Sequence, residues 1–243
     1  MRVYKIEVGT PPFEVSVIVP AKKLRDARNV IFDLKNQQFK NYEIICVTGK
    51  GRIAKAWNLG IEHSRGKIVL FTESDCRLPN DWIKEMVKIV RKNRGVAFGS
   101  EVIATSRMLS MASFGAYKSI LKQIKFDEEF IIGEDTDFFE RLKRRGYKLE
   151  RSLNPVVFHF KSQDPIKRLK WSFLGGIMRV KHWSKYETSQ LNNLKTIFVY
   201  RVYHILEETL AILGSILGFL FFLPQIIRKS VKIAIKTSLR NNT

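Results

Sequence analysis

Cysteine is scarce in this chain of 243 residues: there are two, Cys46 and Cys76, and they form no CxxC pair. That usage sets aside a disulfide framework and a thiolate zinc site, and it suits a reducing compartment. The first fifteen residues, MRVYKIEVGTPPFEV, lack the apolar stretch of a secretory leader, so no cleavable signal peptide is expected. No internal repeat or low-complexity tract occurs. Acid is also short: 23 Asp and Glu stand against 43 Lys and Arg, a net charge of +20. The excess points to an anionic partner, whether phosphorylated substrate, nucleic acid or acidic membrane surface, and charge alone does not choose among them. Helix-turn-helix, RNP and zinc-finger patterns are missing, so nucleic-acid binding has only the charge in its favour and is not expected. What is present is apolar material. At 45% hydrophobic residues the chain can bury a sizeable core, which excludes wholesale disorder. Its length suits one large domain, or a domain with an appendage.

Short apolar runs alternate with helical periodicity. Val15–Val19 and Glu43–Val47 read as strands buried on both faces, as does Ile68–Thr72. Between them, 23–35 and 52–63 carry one apolar helical face each, the first through Leu24, Ala27, Val30, Ile31 and Leu34, the second through Ile53, Ala56, Leu59 and Gly60. A helix with Asn80 as its cap runs to about Lys92, and Val96–Phe98 reads as another strand. Residues 101–113 read as loop and 116–124 as helix. A further helix opens at Glu134, buries Phe138, Phe139 and Leu142, and closes at Gly146. A strand-like run, 154–160, contains His159. This β-α alternation with short connections predicts an α/β domain whose sheet is mainly parallel, with helices on both faces.

Four places carry candidate chemistry. Glu73-Ser74-Asp75 follows a buried strand directly, at the strand end where α/β proteins bind ligands. Two acids there can hold a hard divalent cation, which in turn holds phosphate; the plainer reading is a polar turn. Glu134-Asp135-Thr136-Asp137 places three carboxylates in four residues at a helix start, more than capping needs, although capping suits the helix dipole. His159 is either a structural histidine or a ligand for metal or phosphate. Thr48-Gly49-Lys50-Gly51 could approach a phosphate closely, or simply turn.

These pieces stand in a known order. VSVIVP, AKAWNLGIEHSRGKIVLFTESDCRLPNDWI and FDEEFIIGEDTDFFERLKRRGYKL, followed by NPVVFHF, resemble the successive motifs of family-2 glycosyltransferases over about residues 14 to 180. The third stretch is the most specific. The resemblance implies a GT-A (nucleotide-diphospho-sugar transferase) fold, a nucleotide-sugar donor, Mg2+ or Mn2+, and inversion at the anomeric carbon. It makes Asp75 the direct metal ligand, with Glu73 at the metal or ribose and His159 assisting at the metal or diphosphate. It makes Asp135, of the Glu134-Asp135 pair, the base that deprotonates the acceptor hydroxyl. Pro20, Ala21, Thr48, Lys50 and Asn58 are the further residues expected to bind the donor, with Arg52 or Lys55 serving in place of the family's missing Arg. The chain departs from the family where Thr48-Gly49-Lys50-Gly51 replaces Asp-Asp-Gly-Ser, where Trp57 replaces the Arg of A-R-N, and where Glu73 replaces Asp. The helix-strand unit that usually follows the second strand is largely missing.

Beyond residue 164 the character changes. Residues 165–190 mix Lys and Arg with Trp171, Phe173, Leu174, Ile177, Met178 and Trp183, the composition of a basic amphipathic helix at a membrane surface or of a helix packed on the domain. Residues 191–243 hold an apolar segment with a basic tail; Thr209–Leu223 carries no charge. Fifteen residues rise ~22 Å as a helix, short of the ~30 Å bilayer core. The expectation is a catalytic domain over 1–164 facing the cytoplasm, an interface region, and membrane-associated helices counted as a transmembrane segment. Its partners would be an anionic membrane surface and a lipid-linked or membrane-proximal acceptor. The rival is a non-catalytic GT-A-like protein that binds a nucleotide or tethers a partner to the membrane.

Overall fold

A computed structural model describes residues 1–102 and 109–160, together with positions 164, 166, 174, 175, 182, 185 and 186. The fold below belongs to the first of two compact units, Met1–His182; the second is Trp183–Thr243. The interface region and the apolar segment therefore lie almost wholly outside the described residues. Among the described residues no helix is long and apolar enough to cross a membrane.

Eight strands form one sheet: β1 (Arg2–Val8), β2 (Val15–Ala21), β3 (Tyr42–Thr48), β4 (Ile68–Phe71), β5 (Cys76–Arg77), β6 (Val96–Glu101), β7 (Phe114–Tyr117) and β8 (Arg151–His159). Their spatial order is β1-β3-β2-β4-β7-β6-β8-β5. Among the described residues, helices α1 (Arg28–Lys35), α2 (Ile53–His63), α3 (Trp82–Lys92), α4 (Lys118–Gln123) and α5 (Glu134–Arg144) cover it.

Burial on both faces explains why the central strands are continuous apolar runs. In β2, Val15, Val17 and Val19 enter one core and Ile18 enters the other, as the two-residue period of a strand requires. The first core takes Val30 and Leu34 of α1 and Trp82, Met86 and Val90 of α3. The second takes Ala54, Trp57 and Ile61 of α2 and Phe138, Phe139 and Leu142 of α5. It is largely aromatic: Phe126 stacks on Phe138 at 4.2 Å, and Trp57 meets Phe71 edge-on at 5.3 Å. Gly60 lets α2 lie close on the sheet, since a Cβ there would come within 2.4 Å of the Ile18 side chain.

The sheet is mixed, which corrects the mainly parallel expectation. The pairs β2–β3, β2–β4 and β6–β8 are parallel, whereas β1–β3, β4–β7, β6–β7 and β5–β8 are antiparallel. Three of the antiparallel strands were not expected. β1 is a half-exposed edge strand ahead of Val15, β5 lies just after Asp75, where a turn was expected, and β7 occupies Phe114–Tyr117, running into the start of the helix expected over 116–124. The helix expected over 23–35 is a 3-10 turn, Leu24–Ala27, followed by α1, and Leu24 is exposed rather than core. Asn80 does not cap α3: its side chain and carbonyl both accept from Gln38, and Asp81 stands at the cap position without a side-chain bond.

Candidate active site

The carboxyl ends of β2, β3 and β4 lie side by side. Ala21 is opposite Thr48, and Ile18 is opposite Phe71, so Glu73 leaves the sheet at its carboxyl edge. The chain turns there, with the Cys76 N–H donating to the Glu73 carbonyl at 3.1 Å, and enters β5. β5 then pairs with the end of β8, Cys76 opposite His159, and the Phe160 N–H donates to the Asp75 carbonyl at 2.9 Å. This short ladder sets Asp75 against His159. It is tied to α1 from below: Asp33 accepts a forked pair of bonds from Arg77 at 2.7 and 2.9 Å and a third from the Leu78 N–H at 3.0 Å. Fully buried Gln37 accepts from the Ile83 N–H and donates to the Pro79 carbonyl.

His159 Nε2 lies 3.3 Å from Asp75 Oδ1 and 3.5 Å from Glu73 Oε2; Nδ1 lies 2.6 Å from Glu101 Oε1. Burial opposes charge on this imidazole, but the hydrogen bonds to Asp75 and Glu101 and the charges of Glu73 and Asp75 outweigh it, raising its pKa to about 10; to act as a ligand it would have to give up its Nε2 proton to the cation. Asp75, Cys76 and His159 each offer a ligand atom, all within 4.8 Å of one another. Cys76 is buried, and its thiol is pushed far above the usual range by burial and then by Glu73. It therefore keeps its proton and makes a poor ligand. Carboxylate oxygen with one imidazole nitrogen fits a hard to borderline divalent cation such as Mg2+ or Mn2+.

The second group of acids stands at the start of α5. Gly133 precedes the helix at φ +79° with open space around it, a turn that a residue with a side chain would enter only under strain. The three acids that follow then divide by role. Asp137 is fully buried and paired to Arg141 at 2.6 Å, and Arg141 reaches back to the Lys125 carbonyl at 2.5 Å. It fastens the helix. Asp135 is half-buried, with Oδ1 accepting from the Thr136 N–H at 2.7 Å. Glu134 is 7% exposed. Its pKa rises to about 8, first by burial, then by the charges of Asp135 and Glu73. Glu73 thus feels both groups, so the two acidic clusters belong to one locus.

The remaining expected donor residues are spread along the same edge. Pro20 is buried, Ala21 half-buried and Thr48 nearly buried; Lys50, Arg52 and Lys55 are exposed. Arg52 donates to the Glu128 carbonyl at 2.6 Å. Asn58 donates to the Phe126 carbonyl and to Glu128 Oε1, and accepts from the Phe126 N–H. Both side chains therefore clamp the segment leading to α5. Trp57 is fully buried between Phe71 and Phe126, so its indole fills core where the resembled motif carries a cation. Sequence reasoning missed Glu101 and Asp33. An acid ending a β-rich run was the only local sign of Glu101.

Residues 48–139 match the family model Glycosyl transferase family 2. The matched segment includes Glu73, Asp75, Glu134 and Asp135, and stops short of His159. Among solved structures, the mannosyltransferase PcManGT from Pyrobaculum calidifontis, in complex with GDP-Man and Mn2+, is similar at a TM-score of 0.59 and 14% identity, over 74% of this chain and 66% of that one. S. aureus TarS 1-349, in complex with UDP-GlcNAc, is similar at a TM-score of 0.49 and 16% identity, over 62% of this chain and 59% of that one. The chain thus spans less than two thirds of the length of either structure. No curated protein matches it. The likeness to PcManGT establishes a GT-A-type fold for the mixed sheet.

Proposed function

We propose that this domain transfers a sugar, with inversion, from a nucleotide-diphosphate donor to an acceptor hydroxyl, with Glu73, Asp75 and His159 as the residues that hold a divalent cation. The observation that carries the reading is the convergence of those three side chains with the Glu134-Asp135 pair at one sheet edge. A cation bound there supplies positive charge against the leaving diphosphate.

The chain's own groups do the rest. Asp135, at the open start of α5, accepts the proton of the acceptor hydroxyl as that oxygen attacks the anomeric carbon from the face opposite the diphosphate. Glu134, which keeps its proton near neutral pH, limits the negative charge beside the incoming nucleophile. Lys50, Arg52 and Lys55 place cations on the rim that a diphosphate would approach. Thr48 at the end of β3 offers a hydroxyl where an acid would bind the base, which favours an altered donor preference. The acceptor is lipid-linked or membrane-proximal and the domain faces the cytoplasm; the support is the basic and apolar composition beyond residue 164. The same Thr48 departure favours a second reading, a non-catalytic nucleotide-binding domain.

A panel of nucleotide sugars, each with Mn2+, screened by thermal shift and then assayed for sugar transfer, tests the reading. The expected result is stabilisation by one donor class only when Mn2+ is present, with transfer or slow donor hydrolysis. Stabilisation without any turnover would favour the non-catalytic reading; no stabilisation by any donor would sink both.

A further inference from the structure

Glu101 is a buried acid that the proposed reaction does not use. It ends β6 and is 9% exposed. β6 and β8 run parallel with Glu101 opposite Val157, so His159, two residues further along, projects from the same face of the sheet. There the Glu101 carboxylate meets Nδ1 at 2.6 Å, while Nε2 faces Asp75 and Glu73. The ring itself is 3% exposed, so both nitrogens must find partners inside the protein.

A backbone carbonyl would satisfy Nδ1 as well. A carboxylate there is a costlier choice, because a buried charge must be offset by strong hydrogen bonds. It also does something a carbonyl does less well: it holds the proton on Nδ1 and makes Nε2 the more basic nitrogen, the one that faces half-buried Glu73 and exposed Asp75. Turning the ring over would present carbon to those acids and break the Glu101 bond together. We propose that Glu101 is a positioning residue that orients His159 and fixes its tautomer for cation binding at Glu73 and Asp75. The inference rests on the cation reading of that locus given above.

The test is Mn2+ titration of the full chain without donor, with free Mn2+ read by electron paramagnetic resonance. The wild type is compared with Asp75→Asn, His159→Gln, Glu101→Gln and Glu101→Asp. Outer carboxylates of this kind typically contribute 10- to 100-fold in metal affinity, so Glu101→Gln is expected to weaken binding ~10- to 100-fold, and Glu101→Asp to recover part of the loss. If Asp75→Asn and His159→Gln weaken binding and Glu101→Gln leaves it unchanged, the positioning role is overturned while the cation reading stands. If the wild type and Asp75→Asn bind alike, the cation reading fails and takes this inference with it. Should Glu101→Gln not fold, nitrogen-15 NMR of wild-type His159 with excess Mg2+ decides. A proton retained on Nδ1 and a bare, cation-shifted Nε2 support the role; a proton on Nε2 overturns it.

Discussion

The two ends of the sheet treat buried acid in opposite ways. At the amino-terminal edge, fully buried Glu43 receives bonds from Ser16 Oγ at 2.7 Å, the Arg65 N–H at 2.6 Å and Arg65 Nε at 2.8 Å, and Arg65 also reaches Glu7. Burial alone would raise its pKa; the Arg65 and Ser16 bonds outweigh that and lower it. At the carboxyl-terminal edge, Glu73, Asp75 and Glu101 surround one histidine, and Glu134 sits beside Asp135 with its carboxyl raised to about 8. The first edge is a clamp whose charges are matched. The second gathers several acids around one imidazole, the kind of cluster in which perturbed carboxyl groups mark a candidate functional site.

Asp135→Asn breaks the second edge most severely. Removing a general base typically costs ~10²–10⁴-fold, so sugar transfer should fall by that factor while the melting temperature stays near that of the wild type; rates come from a transfer assay on the donor that passes the screen. Glu43→Ala probes the first edge. Its loss leaves the buried Ser16 hydroxyl and the Arg65 N–H without the acceptor they donate to, which costs about 1–3 kcal/mol, to be read from denaturant unfolding, with transfer per folded molecule retained.

The pH dependence should also have opposite signs at the two edges. Glu134 binds its proton more tightly in the folded state, so its contribution to stability falls as pH rises from its unfolded pKa of ~4.3 to about 8. Glu134→Gln should flatten melting temperature across that window. An unchanged slope would remove Glu134 as its source. Glu43 has a lowered pKa, so its contribution is complete above its unfolded value and is lost as pH falls through the folded one. Acid titration of Glu43→Gln should lack that loss, the smallest of the four effects because Arg65 is partly solvated.

Much of this was legible in the residues themselves. The strands β2, β3 and β4 announce themselves as apolar runs because both their faces are covered, and α5 shows its apolar face at Phe138, Phe139 and Leu142. Strand direction was not legible. β7 is four residues, Phe-Gly-Ala-Tyr, running into helical Lys-Ser-Ile-Leu, and nothing local separates it from that helix. β1 is half-exposed, and its place depends on long-range pairing with β3. The acids at 73, 75, 134 and 135 were visible because they cluster in sequence. Glu101 was not, since 58 residues separate it from His159 and only the β6–β8 register brings them together. The division between Asp135 and Asp137 likewise depends on burial: one helical turn carries a half-buried carboxylate and a sealed ion pair.

If Glu73, Asp75, His159, Glu134 and Asp135 form one sugar-nucleotide site, donor binding must depend on both the cation and Asp75. Calorimetric titration of the identified nucleotide sugar into wild type and Asp75→Asn, each with and without Mn2+, tests it most directly. The expected result is binding that requires Mn2+ in the wild type and is lost in Asp75→Asn. Equal donor affinity in all four titrations would contradict it.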